Sequence, residues 1–349
     1  MLRERIEHRW IKSFADALAL SRIGEGDAVA ILSETQSREL NVHLAELALL
    51  SLGASPVHVT AVTPAQTAPV PVRSTGASQA LKGHPGLLAA LMACPVIVDV
   101  TVEGLMHAPE LPDILKSGAR VISISNEHPD ALERLLPVPE MKEQVLAASK
   151  LCRSAGQMTV TSQAGTDLKV NMAGAQTVGI WGFTDRPGTL THWPGGLVVS
   201  FPAAGSSNGT LVLDAGDVNL TFKRYLERPV TLTLKDDFIT DIAGEGTDAE
   251  LMRRYLAVWQ DKNAYAVSHV GWGMNEAARY EAMAFYDQRD FNGTEVRAYA
   301  GNFLFSTGAN EFADRFTQGH FDLPVRGCTI ALDGKVVVEN GTLVKEAFA

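Results

Sequence analysis

An α/β domain with a mostly parallel sheet, followed by an α+β domain rich in antiparallel strands, is the fold class this chain predicts. Three observations predict it. Up to about residue 155, short apolar runs alternate with segments whose apolar residues recur at helical spacing. That rhythm belongs to the strand–helix–strand units that build parallel sheets. From residue 156 onward the rhythm becomes strand, turn, strand, with only two helical stretches. The length, 349 residues, suits two domains better than one, so the division is expected at 1–155 and 156–349.

The elements follow in order. Asp27-Ala-Val-Ala-Ile-Leu32 is a short apolar strand. Residues 36–52 carry apolar side chains at helical spacing and stop at Gly53, a residue that ends helices. The next strand is 57–62, and the Pro-rich stretch 63–73 is loop. A helix through 87–92 feeds a strand at 96–101, and a helix near 113–116 feeds one at 120–124. Residues 140–155 form a long connecting helix. Beyond it, strands are expected at 158–162, 211–213, 230–234, 264–268 and 329–332. Lys235-Asp-Asp and Asp333-Gly334 are turns, the second making a hairpin into 336–338. Helical spacing returns at 249–259 and 275–284.

Composition excludes several function classes. Hydrophobic content of 46% with 20% charged residues is that of a globular chain, not a disordered one. A formal charge of −10 without Lys/Arg clusters argues against nucleic acid as a partner. Cys94, Cys152 and Cys328 are scattered and form no Cys-x-x-Cys pair, the usage of a reducing compartment. The charged start, Met1-Leu-Arg-Glu-Arg-Ile-Glu-His8, lacks the apolar core of a signal peptide. The longest apolar run, 86–98, contains Pro95 and is too short for a membrane span. A cytoplasmic protein with no membrane partner, assembled as a homo-oligomer, is the expectation.

His320-Phe321-Asp322 carries the most chemistry. Residues two apart on a strand share a face, so His320 and Asp322 can hold one metal ion while Phe321 points into a core. With a second histidine they make two imidazoles and one carboxylate, the ligation pattern of non-haem Fe(II) oxygenases, which leaves positions open for O2 and a substrate. His269, in Ser268-His-Val-Gly-Trp-Gly273, is available; on its own residues it reads more readily as a loop histidine beside two glycines. His107 lies just beyond the strand at 96–101, at the carboxyl end where open α/β sheets bind ligands. An imidazole there can exchange a proton near neutral pH, although a helix-start role before Pro109 is the plainer reading. His192-Trp-Pro-Gly-Gly196 reads first as a structural turn with Trp193 in the core. Asp214 and Asp217 read as structural.

Four segments in order carry a resemblance: Gly209-Thr-Leu-Val-Leu-Asp-Ala-Gly-Asp217, Ser268-His-Val-Gly-Trp-Gly273, Gly301-Asn-Phe-Leu-Phe-Ser-Thr-Gly308 and His320-Phe-Asp-Leu-Pro324. The chain resembles the 2,5-dihydroxypyridine 5,6-dioxygenases, iron-dependent ring-cleaving enzymes of bacterial nicotinate breakdown. These are distant relatives of the aminopeptidase T-like metallopeptidases. The likeness is strongest from about residue 155 to the end. It implies Fe(II) held by His269, His320 and Asp322, and a small hydroxylated N-heteroaromatic substrate opened with O2. His107 is implied as acid/base or hydrogen-bond partner of the substrate, and His192 as a substrate contact. In those enzymes a glutamate about a dozen residues before the His192 motif helps hold the substrate; in register, Ile180 stands there. With 2,5-dihydroxypyridine as substrate the family implies N-formylmaleamate as product. The competing readings are an aminopeptidase T-like metallohydrolase, with a metal-activated water as nucleophile, and a non-catalytic metal-stabilised binding protein.

Overall fold

The computed structural model describes residues 4–67, 69 and 77–348. The first half builds a parallel sheet from β1 (Ala28–Glu34), β2 (Ser55–Ala61), β3 (Val96–Asp99) and β4 (Arg120–Ile124), in the order β2-β1-β3-β4. The helices are α1 (His8–Leu20), α2 (Glu39–Ser51), α3 (Pro85–Met92), α4 (Leu111–Lys116), α5 (Pro129–Arg134) and α6 (Pro139–Ser154). Alternate strand residues face opposite layers. Val29, Ile31, Val96 and Val98 pack with Phe14, Leu18 and Leu44 of α1 and α2. Ala30, Leu32, Ile97 and Val121 pack with Leu91 and Ile114 of α3 and α4. The first helix was not anticipated, although Trp10, Phe14, Ala17 and Leu18 give it a buried stripe at helical spacing. The loop expected at 63–73 has no regular structure over 63–67; residue 68 and residues 70–73 lie outside the described residues.

The second half is antiparallel. Its strands are β5 (Gln157–Ser162), β6 (Asp167–Asn171), β7 (Gln176–Ile180), β8 (Leu190–Trp193), β9 (Leu197–Phe201), β10 (Ser207–Leu213), β11 (Val218–Asn219), β12 (Arg224–Tyr225), β13 (Val230–Lys235), β14 (Phe238–Ala243), β15 (Val267–Gly273), β16 (Phe303–Thr307), β17 (Phe321–Val325), β18 (Cys328–Leu332), β19 (Lys335–Glu339) and β20 (Thr342–Leu343). One sheet runs β14-β13-β10-β6-β5-β18-β19-β20 and another runs β17-β16-β15-β9-β7. The largest apolar core draws on both, with Met158, Val160 and Leu232 from the first and Val270, Trp272 and Phe305 from the second. The fold class read from the sequence, parallel then antiparallel, is the one observed.

Three expectations need correction. Residues 264–268 are not a strand: a 3-10 turn covers Lys262–Tyr265 and β15 starts at Val267. The helical spacing over 275–284 yields only α8 (Ala282–Phe285), after α7 (Gly246–Val258) and before α9 (Thr294–Ala298). β8 leaves its half of the chain and pairs in parallel with β4, so the first sheet takes its fifth strand from beyond residue 155. The Trp193 ring at its end is fully buried 5.0 Å from Phe14, and Nε1 donates to the Leu135 carbonyl. Among the described residues no helix is long and apolar enough to cross a membrane.

Candidate active site

The site starts as a row across three strands. In the antiparallel register His269 of β15 stands opposite Ser306 of β16, and Ser306 opposite Asp322 of β17. Side chains so paired share a face about 5 Å apart. A register shift between Val267 and His269 sets the row, since a bulge re-aims the next side chain. His320 precedes β17 directly and turns to the same side as Asp322, its Nε2 3.2 Å from Asp322 Oδ1. Phe321 points the other way into the core, 4.8 Å from the Tyr255 ring. Period-two spacing therefore brings His320 and Asp322 together as expected. His269 meets them from inside a strand and not from a loop. Gly271 and Gly273 are not turn residues: a Cβ there would lie 1.9 Å from the Val198 carbonyl and 2.1 Å from that of Tyr299.

Hydrogen bonding fixes the tautomer of His269. The Ser268 hydroxyl gives its proton to the Ala309 carbonyl at 2.6 Å, so at 3.1 Å it can only accept from His269 Nδ1–H. The Nε2 lone pair is left facing Ser306 Oγ at 2.9 Å and Asp322 Oδ1 at 3.7 Å. Ser306 Oγ also donates to Asp322 Oδ1, and Arg297 Nε donates to Oδ2 at 2.5 Å. Among the described residues no three His, Cys, Asp or Glu side chains already surround a common ion position. The donor set nevertheless fits one. Two neighbouring ligands at about 2.0–2.2 Å from an ion lie about 3 Å apart; His320 Nε2 already stands 3.2 Å from Asp322 Oδ1, and His269 Nε2, at 3.7 Å from the same oxygen, would draw in on binding. The Nε2 of His269 and the Oδ1 of Asp322 also point two lone pairs at a hydroxyl with a single proton, and such an excess of acceptors suits a cation.

His107 reaches the row from the carboxyl end of β3. The buried Asp99 carboxylate ends that strand and holds the following loop, accepting from Thr101 N, Thr101 Oγ1, Leu105 N and Ser123 Oγ. The His107 ring lies 5.3 Å from that of His320. Burial, with His320 and His269 beside it, pushes its pKa down to about 3. His192, near the carboxyl end of β8, is pushed down to about 4 by burial, and its Nδ1 has no hydrogen-bond partner. Burial likewise lowers His269 to about 4, while Asp322 stays ionised well below the usual carboxylate range against His320 and Arg297 in spite of its burial. Desolvation favours neutral imidazoles, and nearby positive charge favours the carboxylate.

One cavity of about 100 Å3 is lined by all six residues singled out in the sequence: His107, Ile180, His192, His269, His320 and Asp322. Ile180 is 7% exposed and packs with Leu197, Val199 and Leu304, giving the cavity an apolar wall. Phe201 adds a ring 5.2 Å from His269. A larger cavity of about 410 Å3 shares Glu103, His107 and His320 with it. Sequence reasoning missed Ser306, Arg297, Asn292 and Thr294. For Ser306 a signal existed: in Phe303-Leu-Phe-Ser-Thr307 it is a polar residue on a buried strand. Asp214 and Asp217 lie elsewhere, and Asp217 accepts from the Asp214 and Arg326 backbones as a turn-former.

Comparison with known proteins supplies the remaining findings. Residues 9–345 match the family described as 2,5-dihydroxypyridine 5,6-dioxygenase. A 2,5-dihydroxypyridine 5,6-dioxygenase from Pseudomonas putida KT2440 is 38% identical over 337 residues, 95% of each chain. The solved structure of a 2,5-dihydroxypyridine dioxygenase from Pseudomonas putida KT2440 superposes with a TM-score of 0.91 at 37% identity, over 96% of each chain. Wild-type AmpT from Thermus thermophilus matches with a TM-score of 0.66 at 13% identity, over 97% of this chain and 100% of that one, a likeness of fold alone.

Proposed function

The chain belongs to the 2,5-dihydroxypyridine 5,6-dioxygenase family, and from that premise we propose that it is an Fe(II)-dependent enzyme opening the ring of 2,5-dihydroxypyridine or a related hydroxylated N-heteroaromatic with O2, in nicotinate-type breakdown. The observation that carries the reading is the convergence of His107, His192, His269, His320 and Asp322 on one cavity with an apolar wall. His269, His320 and Asp322 would hold the iron, with Ser306 Oγ placed as a fourth donor. Fe(II) bound there supplies the redox chemistry that lets O2 react with the ring.

The chain's own residues do the rest. Arg297 fixes one carboxylate oxygen of Asp322, leaving Oδ1 turned toward both histidines. Burial keeps His107 neutral, so its ring can accept a hydrogen bond from a ring hydroxyl; a pKa of about 3 makes it a weak base until metal and substrate change its surroundings. Its loop is held by the carboxylate of Asp99, so the imidazole is positioned before a substrate arrives. His192, also neutral, offers a hydrogen-bonding edge, while Ile180, Leu197, Val199 and Leu304 take the flat or apolar side of the ring. At about 100 Å3 this space is smaller than the roughly 150 Å3 of an apolar cavity that holds benzene, so a dihydroxypyridine would extend into the larger cavity that shares His107 and His320 with it.

Anaerobic reconstitution with Fe(II), followed by oxygen uptake over a panel of dihydroxypyridines and other hydroxylated rings, tests the reading. One iron per chain and oxygen-dependent loss of the ring chromophore are expected, with both abolished in a folded His320→Ala variant. Full iron occupancy in that variant, or activity that needs Zn(II) or Co(II) and no oxygen, would overturn it.

A further inference from the structure

The polar side of the cavity is carried by a segment that the second half does not hold by itself. Residues 291–297 bring Asn292, Thr294 and Arg297 to the cavity. Three successive backbone amides of this segment donate to one carboxylate of the first half. Asn292 N donates to Glu127 Oε2 at 2.8 Å, and Gly293 N and Thr294 N donate to Oε1 at 3.0 and 3.1 Å. Glu127 lies just beyond β4 and is 1% exposed.

Neighbouring contacts run in the same direction. Ser125 Oγ bonds Thr294 Oγ1 at 3.0 Å and accepts from Asn292 Nδ2 at 2.8 Å. Arg38 pairs with Asp290 at 2.7 Å, and Arg134 forks onto the buried Glu295. The far end of the segment is Arg297, whose Nε donates to Asp322 Oδ2 at 2.5 Å and whose carbonyl accepts from Asn302. A continuous line of hydrogen bonds thus runs from the carboxyl edge of the parallel sheet, through Glu127 and three amides, to Arg297 and the carboxylate of Asp322.

We infer that Glu127 is a positioning residue that sets the orientation of Asp322 for metal through the 291–297 segment and Arg297, an inference that rests on the metal reading above. Physically, a carboxylate accepting three amide protons leaves the segment one conformation. A glutamine in its place presents an NH2 group to an amide N–H, so at least one of the three bonds is lost. Groups that orient a metal ligand change affinity by about 10–100-fold when altered.

The test uses the full chain and Co(II) as the probe, read by its visible absorption. Glu127→Gln should weaken Co(II) binding about 10-fold or more and alter the absorption bands. Arg297→Lys leaves the three amide bonds in place and should reproduce the loss, and the double variant should bind no more than about threefold worse than the weaker single. Hydrogen exchange on metal-free protein supplies an independent reading: residues 291–298 and 321–325 should exchange faster in Glu127→Gln. Faster exchange with Co(II) affinity and spectrum unchanged would overturn the inference, making Glu127 structural only. So would unchanged exchange, or losses that multiply in the double variant. His320→Ala serves as the control for the metal reading itself: wild-type Co(II) binding there would sink that reading, while exchange at 321–325 still judges the link from Glu127 to Asp322. Should Glu127→Gln fail to fold, an Arg297→Lys variant with wild-type Co(II) affinity is sufficient to refute the inference.

Discussion

Ile180 should decide which ring this protein prefers. Its side chain closes one wall of the cavity at 7% exposure, packed with Leu197, Val199 and Leu304. A ring oxygen or nitrogen pressed against that wall gives up water and gains no partner, at about 1–3 kcal/mol. Expressed in kcat/KM that is roughly 5- to 150-fold against a substrate placing a polar group there, relative to one presenting C–H. Ile180→Glu puts an acceptor on the wall and should move the ratio of kcat/KM values toward 2,5-dihydroxypyridine by a factor in that range. A carboxylate among three aliphatic side chains is costly and will rise in pKa, so Ile180→Gln, uncharged, separates the hydrogen bond from the charge. Steady-state oxygen consumption with 2,5-dihydroxypyridine and with a monohydroxypyridine, for the three proteins, gives the ratios. Efficient wild-type turnover of 2,5-dihydroxypyridine that neither variant improves would refute the reasoning.

Two further outcomes follow from the site. Asp99→Asn removes acceptor capacity from the loop before His107; kcat should fall by about 10-fold or more while Fe(II) content stays at wild-type level, and parallel loss of iron would count against it. The pKa of His192 is pushed from its ordinary 6.5 down to about 4, by burial first and then by Arg297. Because the folded value lies below the unfolded one, its neutral form contributes stability above about pH 6.5, lost as pH falls through 4. At full extent that is on the order of 3 kcal/mol, so the melting temperature of the metal-free protein should drop over this window, and less steeply in His192→Gln. Equal slopes would show that His192 does not titrate in this way.

Legibility in the sequence followed the range of the physics. His320 and Asp322 were legible because two residues on one strand need only the pleat to share a face. His269 could be named from resemblance but not placed, because Gly271 and Gly273 carry the signal of a turn. Their real cause is the close approach of two carbonyls, that of Val198 on the neighbouring strand and that of Tyr299 just after α9. The spacing over 275–284 misled for a related reason: Asn275 lies at a bridge to Tyr299, and its side chain bonds the Gly195 carbonyl. Tertiary pairing there outweighs local periodicity. Ser306 and Arg297 join the row through partners 16 to 37 residues away, and no local pattern announces such pairs. The return of β8 to the first sheet is likewise a tertiary event. What periodicity does announce, the apolar strands of the parallel sheet and the long helix α6, was read within a few residues of its true limits.

That return has a mechanical consequence. Only residues 194–196 separate β8, stitched beside β4, from β9, which lies beside β15 and its histidine. Residue 196 is also tied at both backbone atoms, its N–H to the Ile180 carbonyl and its carbonyl to Met274 N–H. Two lobes joined by so short a stitch share one fixed seam, and any relative motion of the two must pivot about these residues. The ring pocket also meets the larger cavity at Glu103, His107 and His320, so a dependence of turnover on solvent viscosity would report motion of the seam or of the walls the two cavities share.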